Sequence, residues 1–429
     1  MYRTLQRVGQ WIGWGWVLGL CGLLVTTAAA EEILPLLPHR GLRPMALGNA
    51  YEALADDLDS FNYNPAGLSH LERFTLRLTP IQARVSKDLV DETAELPDLL
   101  SDLDELSGLP EDQVVDHPAA QRLVDRIARL RRRDLALQSD FVVLSLGAPL
   151  FEVAQTPITA GVNVTNRAFS WFRFRRAGLP WRSVVLDTLD DRVQWSGALE
   201  VATIQAAVAA KRHVELPFVR TVRAGLGWRW VNRKYRNDQF EIAEALHPER
   251  FQEEHLRFGA DQEVSSFQDV LDLVDENTET TRGFGVDLGL QAEHTDYLRS
   301  ALVVRSLVSN VGEGRFPRTL TVGLAARPLR ALNRENDLLD LQVAAALSSP
   351  AGDNHLEEFR NNSFTDYLHL GIEAVLLPRS PLRLAVRAGN NHGYPTFGLE
   401  VALAFLKAGV AYYGDLETDW WTGGVTLDF

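Results

Sequence analysis

The stretch GFGVDLGLQAE, Gly283–Glu293, decides what kind of molecule this is. Phe284, Val286, Leu288, Leu290 and Ala292 fall on one face of an extended chain; Gly283, Gly285, Asp287, Gly289, Gln291 and Glu293 fall on the other. Period two with one apolar face is the signature of a strand. A phosphate-binding loop is also glycine-dense, but here the glycines share one strand face, which marks them as thin positions rather than a phosphate cradle.

The pattern recurs along the chain. Val222, Ala224, Leu226, Trp228 and Trp230 oppose Arg223, Gly225, Gly227 and Arg229; Leu382, Leu384, Val386 and Ala388 oppose Arg383 and Arg387. Leu368, Leu370, Ile372 and Ala374 do the same, as do Val425, Leu427 and Phe429 at the end. About fourteen strands are expected, starting near Arg73, Leu135, Pro157, Val193, Val219, Arg282, Tyr297, Arg318, Asp337, Asp366, Leu382, Pro395, Lys407 and Trp421.

Alternation alone does not separate a soluble sandwich from a membrane barrel. The connections do. Ser86–Asp134, Ser170–Arg192, Asn232–Thr281 and Ser348–Thr365 are long, whereas Ala148–Thr156, His294–Asp296, Leu377–Pro381 and Phe405–Lys407 are short, and the two kinds take turns. Short periplasmic turns against long external loops are what an outer-membrane barrel requires. A Lys or Arg at mid-membrane on the lipid face costs about 2–4 kcal/mol, and the apolar faces of these strands carry no charge. The expected fold class is therefore all-β: a transmembrane antiparallel barrel of about fourteen strands over 72–429.

The chain of 429 residues carries a formal net charge of −14, which removes the basic footprint of a nucleic-acid partner. Arg3 and Arg7, an apolar run from Trp11 to Val25 and the small residues up to Ala30 read as an export signal, residues 1–30, cleaved after Ala30. A retained membrane helix is the competing reading. Cys21, the single cysteine, lies inside this run, so the exported chain would hold no disulfide or thiolate site. Helical insertions are expected near 86–134 and 233–281: Leu89–Leu106, Ala119–Arg133 with Leu123, Ile127 and Leu130 on one face, and Ile242–Phe258. They read equally as a cap, a partner surface or solvated helices. Trp171, Phe172, Trp181, Tyr412, Tyr413, Trp420 and Trp421 near strand ends suit an interfacial girdle.

One segment remains unusual: ALADDLDSFNYNPAGL, Ala53–Leu68. A metal site would need Asp56, Asp57 and Asp59, beside Glu52, to converge on one point. The alternative is an ordered plug: small residues in a short helix Ala46–Leu54, Pro65 fixing the chain, Asn64 held out of helical geometry, and Gly67 allowing a sharp exit into the first strand. Its acids would then pair with lumen arginines such as Arg223, Arg305, Arg383 and Arg387, because unpaired enclosed charge is costly. The H-E-x-x-H, G-x-S-x-G and P-loop patterns do not occur, and no catalytic residue, metal or cofactor is expected.

The segment GLRPMALGNAYEALADDLDSFNYNPAGLSHL, Gly41–Leu71, resembles the N-terminal signature of FadL-like outer-membrane proteins, nearest the PorV-type branch. LRLAVRAGNNHGYPTFGLEVALAFLKAGVAYYG looks like that branch's last hairpins. The resemblance implies a barrel with an N-terminal lumenal hatch, here 31–71, whose gate would comprise Asp56, Asp57, Asn64, Pro65, Ala66 and Gly67. It implies passive passage of small hydrophobic molecules, contact with outer-membrane lipid and lipopolysaccharide, and Phe429 as the signal for the outer-membrane assembly machinery. The charged helical insertions are similar instead to TraF-type conjugation proteins, and PorV-type relatives act as scaffolds for secretion-complex proteins. Transport and scaffolding both stand as expectations.

Overall fold

The structure, a computed structural model, describes residues 41–429 apart from 94, 107–108, 110–112, 114–116, 131–132, 134, 176–191, 242–278, 312–315, 317, 333–336, 352–363 and 415–417. The expected export signal, Trp181 and the helix expected over 242–258 lie outside these residues.

Fourteen strands follow one another in chain order. The first five are β1 (Thr75–Ser86), β2 (Leu135–Val153), β3 (Thr156–Arg175), β4 (Arg192–Leu216) and β5 (Val219–Glu241). Then come β6 (Glu279–Glu293), β7 (Leu298–Val311), β8 (Arg318–Ala326), β9 (Leu339–Ala351) and β10 (Leu368–Leu376). The last four are β11 (Leu382–Asn391), β12 (Tyr394–Leu403), β13 (Leu406–Tyr413) and β14 (Trp420–Asp428). Each pairs with its sequence neighbours, and β1 pairs antiparallel with β14 from Arg77↔Asp428 to Ser86↔Trp420, so the barrel is closed. Closure leaves no open sheet edge, the condition under which strands can cross a bilayer.

The alternation sorts as the sequence implied. Leu226, Trp228, Trp230, Phe284, Leu288 and Leu290 are exposed on the outer wall, while Arg223, Asp287 and Gln291 are buried inside. Tyr412 and Trp421 stand outward and touch at 5.1 Å between ring centroids. Trp171, Tyr413 and Trp420 depart from the expected girdle: they belong to an interior cluster with Met45 and Ala136, because their positions in the strands have lumen-facing parity.

The turn end, where the chain enters β1 and leaves β14, is closed by brief links such as 154–155 and 404–405. Two links break the expected asymmetry. Residues 327–338 at the turn end carry a short helix, Pro328–Ala331, and β11 returns into β12 at the loop end through His392-Gly393 alone. Positive φ at both residues, 53° and 92°, permits that two-residue hairpin. The second insertion starts later than expected, since 233–241 continues β5 in register with β4 as far as Arg192↔Glu241. β2 to β5, at 19, 20, 25 and 23 residues, exceed the roughly 9–11 that a crossing needs. At the loop end β4 and β5 run on past the start of β6, as far as Arg192↔Glu241, and so extend beyond that neighbour.

Between β1 and β2 the chain is helical as expected, over Lys87–Glu92, Leu96–Leu106 and Pro118–Leu130. The Ser86 hydroxyl accepts from the Leu89 amide at 3.2 Å and starts the first helix. Leu123, Ile127 and Leu130 are buried, and Arg126 reaches Asp98, Asp102 and Glu95 at 3.0, 2.9 and 3.3 Å, zipping two of these helices together.

The outward assignment makes a checkable statement about Val386, which is 47% exposed on β11. Val386→Arg should destabilise the lipid-embedded barrel by about 2–4 kcal/mol if the residue lies near the bilayer midplane. Reversible unfolding in lipid vesicles measures this, and an unchanged midpoint would refute the assignment.

Candidate functional site: the plugged lumen

Residues 41–71 lie inside the barrel. A short helix over Leu42–Ala46 leads to Gly48 and Asn49, both left-handed at φ 61° and 62°, where the chain turns against the wall. The helix expected over Ala46–Leu54 is not formed: this left-handed pair interrupts it, and turns follow. A second short helix spans Ser60–Tyr63, and Asn64 then opens a 3-10 turn over Pro65–His70. Its side-chain oxygen accepts from the Ala66 amide at 3.0 Å, and the extended backbone of Asn64 is what a following proline favours. Gly67 lies within this turn and not at the exit to β1; a Cβ there would fall 2.4 Å from Ser60 Oγ and 2.5 Å from Ala55 O.

The wall is thinned where the segment touches it. A Cβ on Gly225 would lie 2.3 Å from the Pro65–Ala66 backbone, and one on Gly289 would lie 2.0 Å from Asn64 Oδ1. Such distances are below any real Cβ contact, so the absent side chains are what let the Asn64-Pro65-Ala66 turn dock. Polar groups fix the register of the docking. Asn64 Nδ2 donates to Glu52 O and Leu290 O at 3.0 and 3.2 Å; Gln291 Nε2 donates to Glu52 O and Ala55 O at 3.0 and 2.9 Å. Asn49 donates to the Tyr413 hydroxyl at 2.6 Å, and the Thr396 hydroxyl donates to Ala46 O at 3.1 Å. The apolar part is carried by Leu47, Tyr51, Leu54 and Tyr63 against wall alanines 301, 325 and 344.

Charge ties the rest. Arg43 is the centre: it reaches Asp56 at 2.9 Å within the segment and Glu373 of β10 at 2.8 Å, and donates to the Tyr51 hydroxyl at 3.0 Å. Glu373 also holds Arg387 at 2.6 Å, and Arg387 reaches Glu400 at 3.3 Å, so a line of alternating charge runs from the segment into the wall. Arg77 of β1 grips Asp59 and Asp57 at 3.0 and 3.1 Å and Asp428 of β14 at 2.7 Å. Asp57 loses ionisation energy to burial, yet Arg77 and Arg43 more than offset this and hold its carboxyl below the usual carboxylate range.

The four arginines named from sequence divide. Arg305 pairs with a segment acid, Glu52, at 2.8 Å. Arg387 and Arg223 pair with barrel acids instead, Arg223 with Glu293 at 2.9 Å. Arg383 has no partner among the described residues and faces a cavity. The partners that matter most to Asp56 and Asp57 are Arg43 and Arg77, neither of them among those four. Arg43 lies inside the segment itself, where strand parity carries no information, and Arg77 has the lumen parity of β1, which the sequence shows. The acids reach arginines rather than converging on a common point, and no cluster of three or more metal-ligating side chains occurs among the described residues. Phe429 closes the seam: its amide donates to Leu76 O at 2.8 Å and its ring stacks on Phe405 at 5.2 Å.

No family model and no curated protein matches the chain. Among solved structures it is similar to the Ralstonia pickettii toluene transporter TbuX, with TM-score 0.45 and 10% identity over 92% of this chain and 98% of that one. The Pseudomonas putida toluene transporter TodX gives 0.40 and 11% over 91% and 97%. A triple mutant of the Rhodopseudomonas blastica porin gives 0.28 and 8% over 83% and 99%. Likeness of this depth assigns neither family nor cargo, and none of these three structures is a PorV-type or TraF-type protein.

The glycine contacts separate two substitutions on β5. Gly225→Ala should displace the Pro65–Ala66 turn and raise single-channel conductance, whereas Gly227→Ala, whose Cβ would lie 3.6 Å from Pro65 Cβ, should leave it unchanged. Equal conductance for both would show that the turn is not seated there.

His70 adds a pH dependence. Burial, with Arg223 and Arg299 nearby, lowers its pKa from an ordinary 6.5 to about 3, against the opposing effect of Gln291 and Glu293. The seated state thus favours neutral His70. Its contribution is present in full above pH 6.5 and is lost as pH falls towards 3, by up to about 1.4 kcal/mol per unit. Conductance should rise over that window, and His70→Gln should flatten the rise between pH 6.5 and 4; an identical profile in the variant would sink the assignment.

Proposed function

We propose that the protein is an outer-membrane channel for small hydrophobic compounds, held shut at rest by residues 41–71 acting as a hatch. The observation that carries this reading is the manner of closure. The segment is not a strand of the barrel; it is a separate insert held by side-chain pairs and by contacts with thinned wall positions, so it can leave without opening the β-ladder. The interior differs at its two ends. Towards the loop end, Met45 of the segment packs with Tyr413, Trp420 and Ala136, flanked by Phe169 and Trp171, an apolar surface suited to an apolar cargo. The turn end, which in this reading faces the periplasm, is lined by charge. Asn64, Pro65, Ala66 and Gly67 form the gate, with Asp56 and Asp57 as its electrostatic latch.

A specific observation favours a second reading, a scaffold of a secretion, attachment or conjugation complex without transport. The lumen at the level of Asn64 is filled, with Asn64, Leu68 and Ala66 wholly buried, and the helices over 87–130 offer an ion-paired external surface. One experiment separates the two. Cells with an intact lipopolysaccharide barrier that express the protein should take up the hydrophobic fluorophore N-phenylnaphthylamine faster than cells without it. Asp56→Asn combined with Asp57→Asn should raise uptake severalfold, because the tie from Asp57 to Arg77 of the wall is lost in a partly enclosed site; a fully buried broken pair costs about 3–5 kcal/mol, and these carboxylates, 22% and 26% exposed, cost less. Normal barrel folding with no uptake above background in either protein would overturn the channel and leave the scaffold.

A further inference from the structure

The outer wall carries almost no charge, and its cations at the loop end are confined to one sector. On β1 to β3 and on β9 to β14 no Lys or Arg shares the parity of the exposed apolar side chains. β5 and β6 differ. Their exposed apolar series ends at Trp228, Trp230 and Phe284, with Trp230 67% exposed. Trp230 is level with Phe284, and one step further out on the same faces Asn232 is level with Arg282; one step beyond that, Lys234 is level with Thr280. On the far side of β6, Asn310 of β7 is exposed and level with Phe284.

The seam thus carries an aromatic floor and a cationic rim. At about 3.4 Å per residue, Arg282 stands roughly 7 Å along the strand beyond Phe284, and Lys234 roughly 14 Å beyond Trp230. Large aromatic side chains of a lipid-facing wall mark the interface, and a cation is tolerated just above them where it is costly below. Arg282 and Lys234 therefore stand at the level of lipid headgroups. Pairing within the wall does not explain Arg282: it is exposed and holds no carboxylate among the described residues. The acids of the two strands lie elsewhere, Asp238 four residues beyond Lys234 and Glu279 level with Tyr235, out of phase with both cations.

We propose that the β5–β6 seam binds one molecule of the lipid A part of lipopolysaccharide on the outer wall. A phosphate on its sugar meets the Arg282 guanidinium and the Lys234 ammonium, the Asn310 amide donates to sugar oxygens, and acyl chains run down the wall over Trp230, Trp228 and Phe284. Charge complementarity selects a phosphorylated lipid, and the position of the patch at the loop end selects the glycolipid of the outward leaflet. The site rests on the outer-membrane placement of the preceding reading and not on passage of a cargo, since none of these side chains lines the lumen.

The test is titration of the full chain, purified in detergent and shown to be folded by heat-modifiable gel mobility, with lipid A, with lipid A stripped of its phosphates, and with phosphatidylglycerol. Native mass spectrometry counts the bound lipid. One saturable lipid A per chain is expected, with each of the other two lipids at least tenfold weaker. Arg282→Gln combined with Lys234→Gln should weaken lipid A at least tenfold, the single substitutions serving if the pair does not fold, and Trp230→Ala should weaken it severalfold. Arg212→Gln, which removes an exposed cation level with Val222 at the turn end, should change nothing. Phosphatidylglycerol binding as tight as lipid A would mean a general anionic-lipid contact and would overturn the proposal. So would displacement of lipid A by an equal concentration of inorganic phosphate, or unchanged binding in the folded variants. A chain that fractionates away from the outer membrane would refute the placement and the site together; one that folds there without a saturable lipid A site would refute the site alone.

Discussion

A strand that crosses lipid has no water to satisfy its peptide groups, so its hydrogen bonds must all be made by neighbouring strands. Everything else here follows from that constraint. The ladder can have no loose edge, and β1 therefore meets β14, with Leu76 and Phe429 exchanging both backbone bonds at the seam. Closure fixes parity: each residue faces either lipid or lumen. The lipid face has to be uncharged, which confines the charge carried by the strands to the inside.

A polar interior then creates its own demand. Lumen arginines enclosed by a wall need counter-charges, and fourteen strands enclose more space than their own side chains fill. Residues 41–71 meet both needs at once. They bring Glu52, Asp57 and Asp59 to Arg305 and Arg77, and they bring a cation, Arg43, to Glu373. Where the segment's backbone must approach the wall, the wall has lost its side chains, as at Gly225 and Gly289.

The sequence was most legible where a single period governs it. In a closed barrel, side-chain parity is a direct consequence of geometry, so the strand starts near Leu135, Val219, Arg318 and Leu382, and the turn over Leu377–Pro381, could be read without knowledge of tertiary contacts. Legibility failed where long-range contact decides. In 46–54 the Gly48-Asn49 pair was itself a local sign of left-handed geometry just past a helix end, masked by the small residues around it; what only the contact shows is that Gly48 must lack a side chain, because the Asn390 carbonyl lies 2.4 Å from where a Cβ would sit. The inward placement of Tyr413 and Trp420 was readable from parity, but residue type suggested a girdle and misled. The extension of β5 to Glu241 had no apolar alternation to report it. Charge pairing was half legible: that acids would meet arginines follows from desolvation, but which ones meet depends on how the inserted segment is seated.

That seating also bears on how such a plug can move. The segment's contacts are uneven around the barrel: the Asn64–Ala66 turn rests against β5 and β6, whereas Arg43 and Gly48 are held by β10 and β11. The first contact is steric and short-range, governed by glycines and a few amide bonds. The second combines the same kind of steric fit, at Gly371 and Gly389 against Leu47 and Gly48, with an electrostatic part in which Glu373 can retain Arg387 when Arg43 leaves, so releasing Arg43 does not strand an unpaired charge in the wall. The departing Arg43 can likewise keep Asp56, which travels with it on the same segment, whereas Asp57 is also held by Arg77 of the wall. A latch whose two halves are each internally neutralised opens at lower cost than a lone buried pair.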